Sequence, residues 1–215
     1  MNELKLVIFD MDGLMLDSET IYLKAAMSLK EKYTYDLDEA FIISTMGLTK
    51  ALTNELLTAR MPDIDLNLYN QRLHEEIEKY PLKMKKGLME LLNYLKDNKY
   101  LISVATSTYK QRAYMMLDTF DLVKYFDFIL TGDMVNKSKP NPDIYLKVLD
   151  HFKIKNDEAI VLEDSNNGLL AAINADIKTI YVKDLATVKD ETLAQVTFKT
   201  NDLLEVKDLL EKEYN

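Results

Sequence analysis

Four carboxylates follow one another at the end of an apolar run. In "VIFDMDGLMLDSE" (7–19) the run Val7, Ile8, Phe9 stops at Asp10; Asp12, Gly13, Asp17 and Glu19 come next. Like charges at close range repel, and a desolvated carboxylate is costly. Solvent, a cationic side chain or a metal ion must compensate. Three further polar groups also lie just past apolar runs: Thr106, Ser107 and Thr108 in "ATST", Lys139 in "SKPNPD" (138–143), and the pair Glu163 and Asp164. Three or four carboxylates with hydroxyls and one lysine suit a hard divalent cation together with a phosphate. Mg2+ takes one or two carboxylates, keeps several waters and shares phosphate oxygens.

The elements that must position these groups are short. "LKLVIF" (4–9), "YLISVA" (100–105), "DFILT" (127–131), "AIVL" (159–162), "IKTIYV" (177–182) and a weaker "VTF" (196–198) read as strands. Most do not alternate, which suits strands covered on both faces of a parallel sheet. Helical patterns alternate with them, so the fold expected is α/β, a doubly wound parallel sheet. All four polar groups then collect at one sheet edge. The stretch from Ser18 to Tyr80 breaks the pattern. "TIYLKAAMSLKEKY" puts Tyr22, Ala25, Ala26, Leu29 and Tyr33 on one helical face, and "LNLYNQRLHEEIEKY" does so with Leu66, Tyr69, Leu73, Ile77 and Tyr80. "TKALTNELLTAR" is a third helix. The expected division is an α/β core at 1–16 and 82–215 with a helical insert at 17–81. The insert falls after the first strand, where open α/β sheets keep their ligand crevice.

The totals narrow the partners. The 215 residues are 47% hydrophobic, enough for a sizeable core, and the formal net charge is -9. That disfavours a nucleic-acid backbone, which binds through Lys and Arg. It leaves room for a small phosphorylated metabolite. Cysteine is absent, so disulfides and thiolate sites are excluded. No apolar run reaches the roughly 18 residues of a membrane span, and an acid at Glu3 argues against a signal peptide. The expectation is a cytoplasmic monomer.

"DMDG", "ATST", "KPNPD" and "LEDSNNG", in that order, resemble the four motifs of the haloacid dehalogenase superfamily of phosphotransferases. The helical insert resembles that superfamily's mobile cap. "DGLMLDSE" and "KPNPDIY" look closest to the beta-phosphoglucomutase-like subgroup. The resemblance covers essentially the whole chain, and four ordered motifs in matching strand contexts are far more specific than one. It implies a Rossmann-like core and an aspartyl-phosphate mechanism. Asp10 would be the nucleophile, and Asp12 the general acid and then base. Asp12 lies two residues on, which in extended chain points it to the same side. Gly13 would permit the tight turn beside the phosphate. Thr106, with Ser107 as the neighbouring alternative, would bind phosphoryl oxygens. Lys139 would offset charge on Asp10 and on the transferring group. Asp10, the Asp12 carbonyl and Asp164 would hold Mg2+, with Glu163 direct or through water.

Simpler roles exist for each residue. Acids are common in turns, Thr106–Thr108 can cap a helix, a loop lysine is usually solvated, and Glu163 and Asp164 suit a helix N-terminus. Asp17 and Glu19 read as hinge or helix-start residues. The reaction expected is phosphomonoester hydrolysis on a sugar phosphate or nucleotide monophosphate. The rival is a sugar phosphate mutase. Mutases of the resembled subgroup carry a histidine in the first cap helix and an arginine in the next cap loop; here those places hold Tyr22 and Lys50. Lys50 binds phosphate as a point charge, without a bidentate fork, and is a candidate substrate contact. A second rival is a receiver-like phospho-accepting module. The chain is too long for that, and the insert would be unexplained. Asp176 stands where the family usually has glycine, in a place aspartate tolerates when the backbone turns left-handed.

Overall fold

The apolar runs form six strands in the computed structural model, which describes residues 3–214. They are β1 (Leu6–Phe9), β2 (Leu101–Ala105), β3 (Phe128–Leu130), β4 (Ala159–Glu163), β5 (Lys178–Val182) and β6 (Phe198–Thr200). All pairings are parallel, in the order β3-β2-β1-β4-β5-β6. The sheet is doubly wound, as the alternation of strands and helices implied. β6 starts where the weak run "VTF" ends. It is an edge strand with Lys199 exposed, so it carries little apolar signal.

Strand periodicity divides the core into two layers. Val7 and Phe9 of β1 face one side with Ile102, Val104, Ile160 and Leu162. Against them pack α5 (Leu88–Asp97), α6 (Lys110–Asp118) and, after the short α9 (Asp190–Leu193), α10 (Leu203–Tyr214), the last through Leu203, Val206 and Leu210. Leu6 and Ile8 face the other side, under α7 (Asp143–Phe152) and α8 (Asn166–Asn174). A strand covered on both faces has no polar side, which is why "LVIF" runs apolar without alternating. Asp176, after α8, has φ 56°, the left-handed conformation anticipated for it.

Between β1 and α5 lie α1 (Ser18–Tyr33), α2 (Glu39–Thr45), α3 (Lys50–Arg60) and α4 (Leu66–Ile77). They enclose their own cluster of Ala25, Ala26, Leu29, Leu37, Ile42, Leu57, Tyr69 and Leu73. The inward face of α1 begins at Ile21, while Tyr33 is exposed beneath the Arg72 guanidinium. α2 has seven residues, too few for a periodic pattern to register; Asp38 caps it by accepting from Phe41 N at 2.8 Å. Buried Glu76 on α4 accepts from Ser28 (2.9 Å) and Lys32 (2.7 Å) on α1 and from Lys79 (2.7 Å). This locks the two long helices together and draws the Glu76 carboxyl down to about 2, chiefly through its hydrogen bonds to Lys32 and Lys79. No described helix is long and apolar enough to cross a membrane.

Gly87 opens α5 in the left-handed region, at φ 86°. A β-carbon there would stand 2.4 Å from Leu204 N and 2.8 Å from Leu203 C, the backbone that starts α10. Gly87→Ala therefore combines backbone strain with overpacking, and about 2–4 kcal/mol of stability should be lost. Urea unfolding of the variant beside the parent protein measures this; an unchanged midpoint would contradict the close approach.

Candidate active site

β1 lies mid-sheet, with β2 and β3 on one side and β4 to β6 on the other. The winding reverses between β1 and β4, and such a switch point leaves a crevice beyond the carboxyl ends of the strands. Asp10 follows β1 there, Thr106 follows β2, Glu163 ends β4 and Asp164 comes next. Lys139 joins them from the loop between β3 and α7.

Lys139 is the centre of the arrangement. Its ammonium donates to Asp10 Oδ1 (2.6 Å), Glu163 Oε1 (2.7 Å) and Ala105 O (3.1 Å). All three ammonium donors are thus used. Burial alone would push its pKa down; Asp10 and Glu163 reverse this and hold it well above the usual range. Glu163 is also saturated. Oε1 accepts from Tyr145 Oη (3.1 Å) as well as Lys139, and Oε2 accepts from Asp164 N (3.0 Å), Ser165 N (2.9 Å) and Ser165 Oγ (3.0 Å).

Asp10, Glu163 and Asp164 bring carboxylate oxygens within 4.8 Å of one another, and all three residues are buried. Burial raises the Asp10 carboxyl to about 7; Lys139 opposes the rise, and Glu163 and Asp12 add to it. Asp164 is also raised well above its usual range, first by burial and then by Glu163, Asp10, Glu19 and Asp184. Its Oδ1 is buried with no hydrogen-bond partner among the described residues. An orphaned carboxylate oxygen beside two other buried acids fits a hard cation, whose charge would offset their repulsion.

Asp12 has different company. It bridges to Leu16 rather than extending β1. Its Oδ2 accepts from Thr108 Oγ1 at 2.7 Å and more weakly from Thr106 Oγ1 at 3.4 Å, while Thr106 Oγ1 accepts from Thr108 N at 3.0 Å. No described cation pairs with it. Thr106 is buried and Ser107 exposed, so Thr106 is the inward hydroxyl of the two. Gly13 has φ 80°, and a β-carbon there would meet Asp164 Oδ2 at 2.3 Å. Only glycine fits between the first loop and the Asp164 carboxylate.

A cavity of about 850 Å3 opens over Asp12, between the sheet and the helical insert. Glu19, Tyr22, Lys50 and His74 line it from the insert, and Thr108 and Arg112 from the core. Lys50 is exposed at the first position of α3. Glu19 sits in the first turn of α1, as a helix-start residue should, yet it also faces the cavity. Its carboxyl is raised to about 8, first by burial and then by Asp12, Asp184 and Asp10. Sequence reasoning brought Thr108 to the site edge without giving it a partner, and missed Tyr145 and Ser165 as site residues. Each lies inside a quoted motif, but only the fold shows which acid it serves.

Residues 7–182 match the sequence model of the haloacid dehalogenase-like hydrolases. The chain belongs to that family of enzymes. It is 35% identical over 179 residues, 81% of this chain and 83% of the other, to a phosphorylated carbohydrates phosphatase of Thermotoga maritima. It is 27% identical to hexitol phosphatase B of Escherichia coli strain K12, across 94% and 95% of the two chains. A solved Thermotoga maritima structure, described as a candidate beta-phosphoglucomutase, superposes with a TM-score of 0.80 at 31% identity; the match covers 98% of this chain and 100% of that one.

A cation entering the acidic cluster must displace the proton that Asp10 holds at low pH. With the Asp10 carboxyl at about 7, and Asp164 raised as well, affinity for Mn2+ or Mg2+ should fall by a factor of about ten or more between pH 8 and pH 6. Calorimetric titration at the two pH values tests this. Equal affinity would show that the bound ion does not use Asp10.

Proposed function

We propose that the chain is a Mg2+-dependent phosphomonoester hydrolase for a small phosphorylated carbohydrate, working through a phosphoryl group carried transiently on Asp10. The observation that carries this is the division between two neighbouring acids. Asp10 is buried and ion-paired to Lys139. Asp12 is half-buried, faces the cavity and is held only by hydroxyls. The first suits a nucleophile whose charged form a paired cation supports, and the second an acid that exchanges protons with solvent and substrate.

Asp10 attacks phosphorus, and the bond to the leaving alcohol breaks. Asp12 gives its proton to that oxygen. It then takes a proton from water, whose oxygen attacks phosphorus and breaks the bond to Asp10, releasing inorganic phosphate. Thr106 and the backbone at Gly13 would contact phosphoryl oxygens. Lys139 holds Asp10 in position through a network whose other anchor is Glu163. Bound Mg2+, held by Asp10 and Asp164, would neutralise charge and orient the phosphoryl group. Glu163 has no acceptor position left and fits an anchor better than a ligand. Residues 17–81 are the cap, which closes over the cavity and sets specificity. A volume near 850 Å3 accommodates a hexose-sized ligand, and the names of the two curated relatives support the same substrate class.

The structural likeness named for a phosphoglucomutase favours a second reading, mutase chemistry. Against it stand Tyr22 and Lys50 in the places of the mutase histidine and arginine. Phosphate release from sugar phosphates, polyol phosphates and nucleotide monophosphates, with and without Mg2+, is the direct test. Turnover should require Mg2+, and Asp10→Asn should lower it about a thousandfold or more. Conversion of beta-glucose 1-phosphate to glucose 6-phosphate without phosphate release would replace the hydrolase reading with the mutase one.

A further inference from the structure

Two strands of chain join the helical insert to the core, and they run side by side. Asp17 N donates to Lys83 O at 2.9 Å, Lys85 N donates to Met15 O at 2.8 Å, and Leu16 bridges Met84. The outgoing strand is also tied to the first acidic loop, through Gly13 N to Leu16 O at 2.9 Å. The Lys85 side chain joins both strands to a third segment. Its Nζ lies 3.2 Å from Asp17 on the outgoing strand and 2.5 Å from Asp184 Oδ1 on the loop after β5.

Asp184 has a second oxygen. Oδ2 is buried and has no hydrogen-bond partner among the described residues. It points back to the site: a β-carbon at Gly13 would stand 3.1 Å from it and 2.3 Å from Asp164 Oδ2. Two carboxylates, each with one unpartnered oxygen, therefore converge on the glycine of the first loop: Asp184 through that oxygen, and Asp164 through its other oxygen, Oδ2. The next residues of the Asp184 loop turn the other way, with Ala186 inside the cluster of the helical insert and Leu185 packed against it. One short loop thus touches the acidic cluster, the crossing strands and the insert.

We propose that Asp184, anchored by Lys85, is a positioning residue that couples cation occupancy of the acidic cluster to the setting of the helical insert. A hard cation held by two carboxylates keeps water ligands, and Asp184 Oδ2 is a buried acceptor suited to such a water. Partners behind the ligands orient a metal site and typically matter tenfold to a hundredfold in affinity. The contact that Asp184 makes in front depends on the one it makes behind, with Lys85. Moving the crossing strands moves Lys85 and hence Asp184. By reciprocity, an occupied cluster favours one arrangement of the strands.

This rests on the proposed metal site, and the experiment separates the two. Mn2+ binding is measured by electron paramagnetic resonance on the full chain without substrate, for the parent protein, Asp184→Asn, Lys85→Gln and Lys85→Arg. Hydrogen exchange at the Asp17 and Lys85 amides is followed with and without Mg2+. The parent should bind Mn2+, and Mg2+ should slow exchange at both amides. Asp184→Asn should bind at least tenfold more weakly and lose the Mg2+-dependent slowing, while its metal-free melting temperature holds. Lys85→Gln should behave alike, and Lys85→Arg should restore the coupling. No binding by the parent would remove the metal site and this proposal with it. Parent-like binding or parent-like slowing in Asp184→Asn and Lys85→Gln would overturn the coupling alone. A fall in melting temperature with unchanged Mn2+ affinity would do the same, since it assigns the residues to packing.

Discussion

The site depends on one buried ammonium. Lys139 lies between Asp10 and Glu163 at 2.6 and 2.7 Å, and all three are removed from water. Breaking a buried pair by removing one partner is far costlier than the pair itself is worth, because an uncompensated charge remains. Lys139 has spent its three donors, and Glu163 has spent its acceptors on Lys139, Tyr145 and the turn that starts α8. The strand ends of β1 and β4 are therefore clamped in one geometry. Among the described carboxylates, only Asp164 and, beside it, Asp184 keep a buried oxygen without a partner. The negative charge left over is concentrated where a divalent cation fits, and the protein's own cation is directed at Asp10, the proposed nucleophile.

Sheet topology makes this economical. With β1 between β2 and β4, a four-residue strand delivers Asp10 between Thr106 on one side and Glu163 and Asp164 on the other. No long reach is needed from any element. The first loop must then leave the sheet at once, because it has to pass Asp164. Gly13 allows this passage, and the chain enters the helical insert only a few residues later. The insert thus begins beside the chemistry and reaches back over it. Tyr22 and Lys50 face the same cavity as Asp12, although they belong to a separate hydrophobic cluster or to the insert's surface.

Much of this is legible in the sequence, for physical reasons. Strands covered on both faces are continuous apolar runs, so five of six strand positions and the parallel sheet can be read directly. A polar residue just past such a run has few places to go, which brings Asp10, Thr106, Glu163 and Asp164 to one edge; Lys139 arrives from the longer loop after β3. Pairing within that edge is not legible. That Thr108 rather than Lys139 serves Asp12, or that Tyr145 serves Glu163, depends on rotamers and on α7 lying across the sheet. α2 is too short to show a period. Lys85 and Asp184 are 99 residues apart and belong to no motif; each alone is an ordinary surface charge.

Whether such a site releases phosphate or passes it on turns on water. An aspartyl-phosphate survives long enough for a mutase only if water is kept from phosphorus while the substrate turns round. That requires a second strong phosphate grip on the cap side. The insert offers Lys50, exposed and unforked, and a tyrosine where a histidine would stand. Asp12, meanwhile, is half-buried beside a broad cavity and tied only to hydroxyls that can exchange with water. In its proposed role as base, Asp12 is open to solvent, which favours attack by water. The same fold that could shelter the intermediate is, with these side chains, better arranged to hydrolyse it.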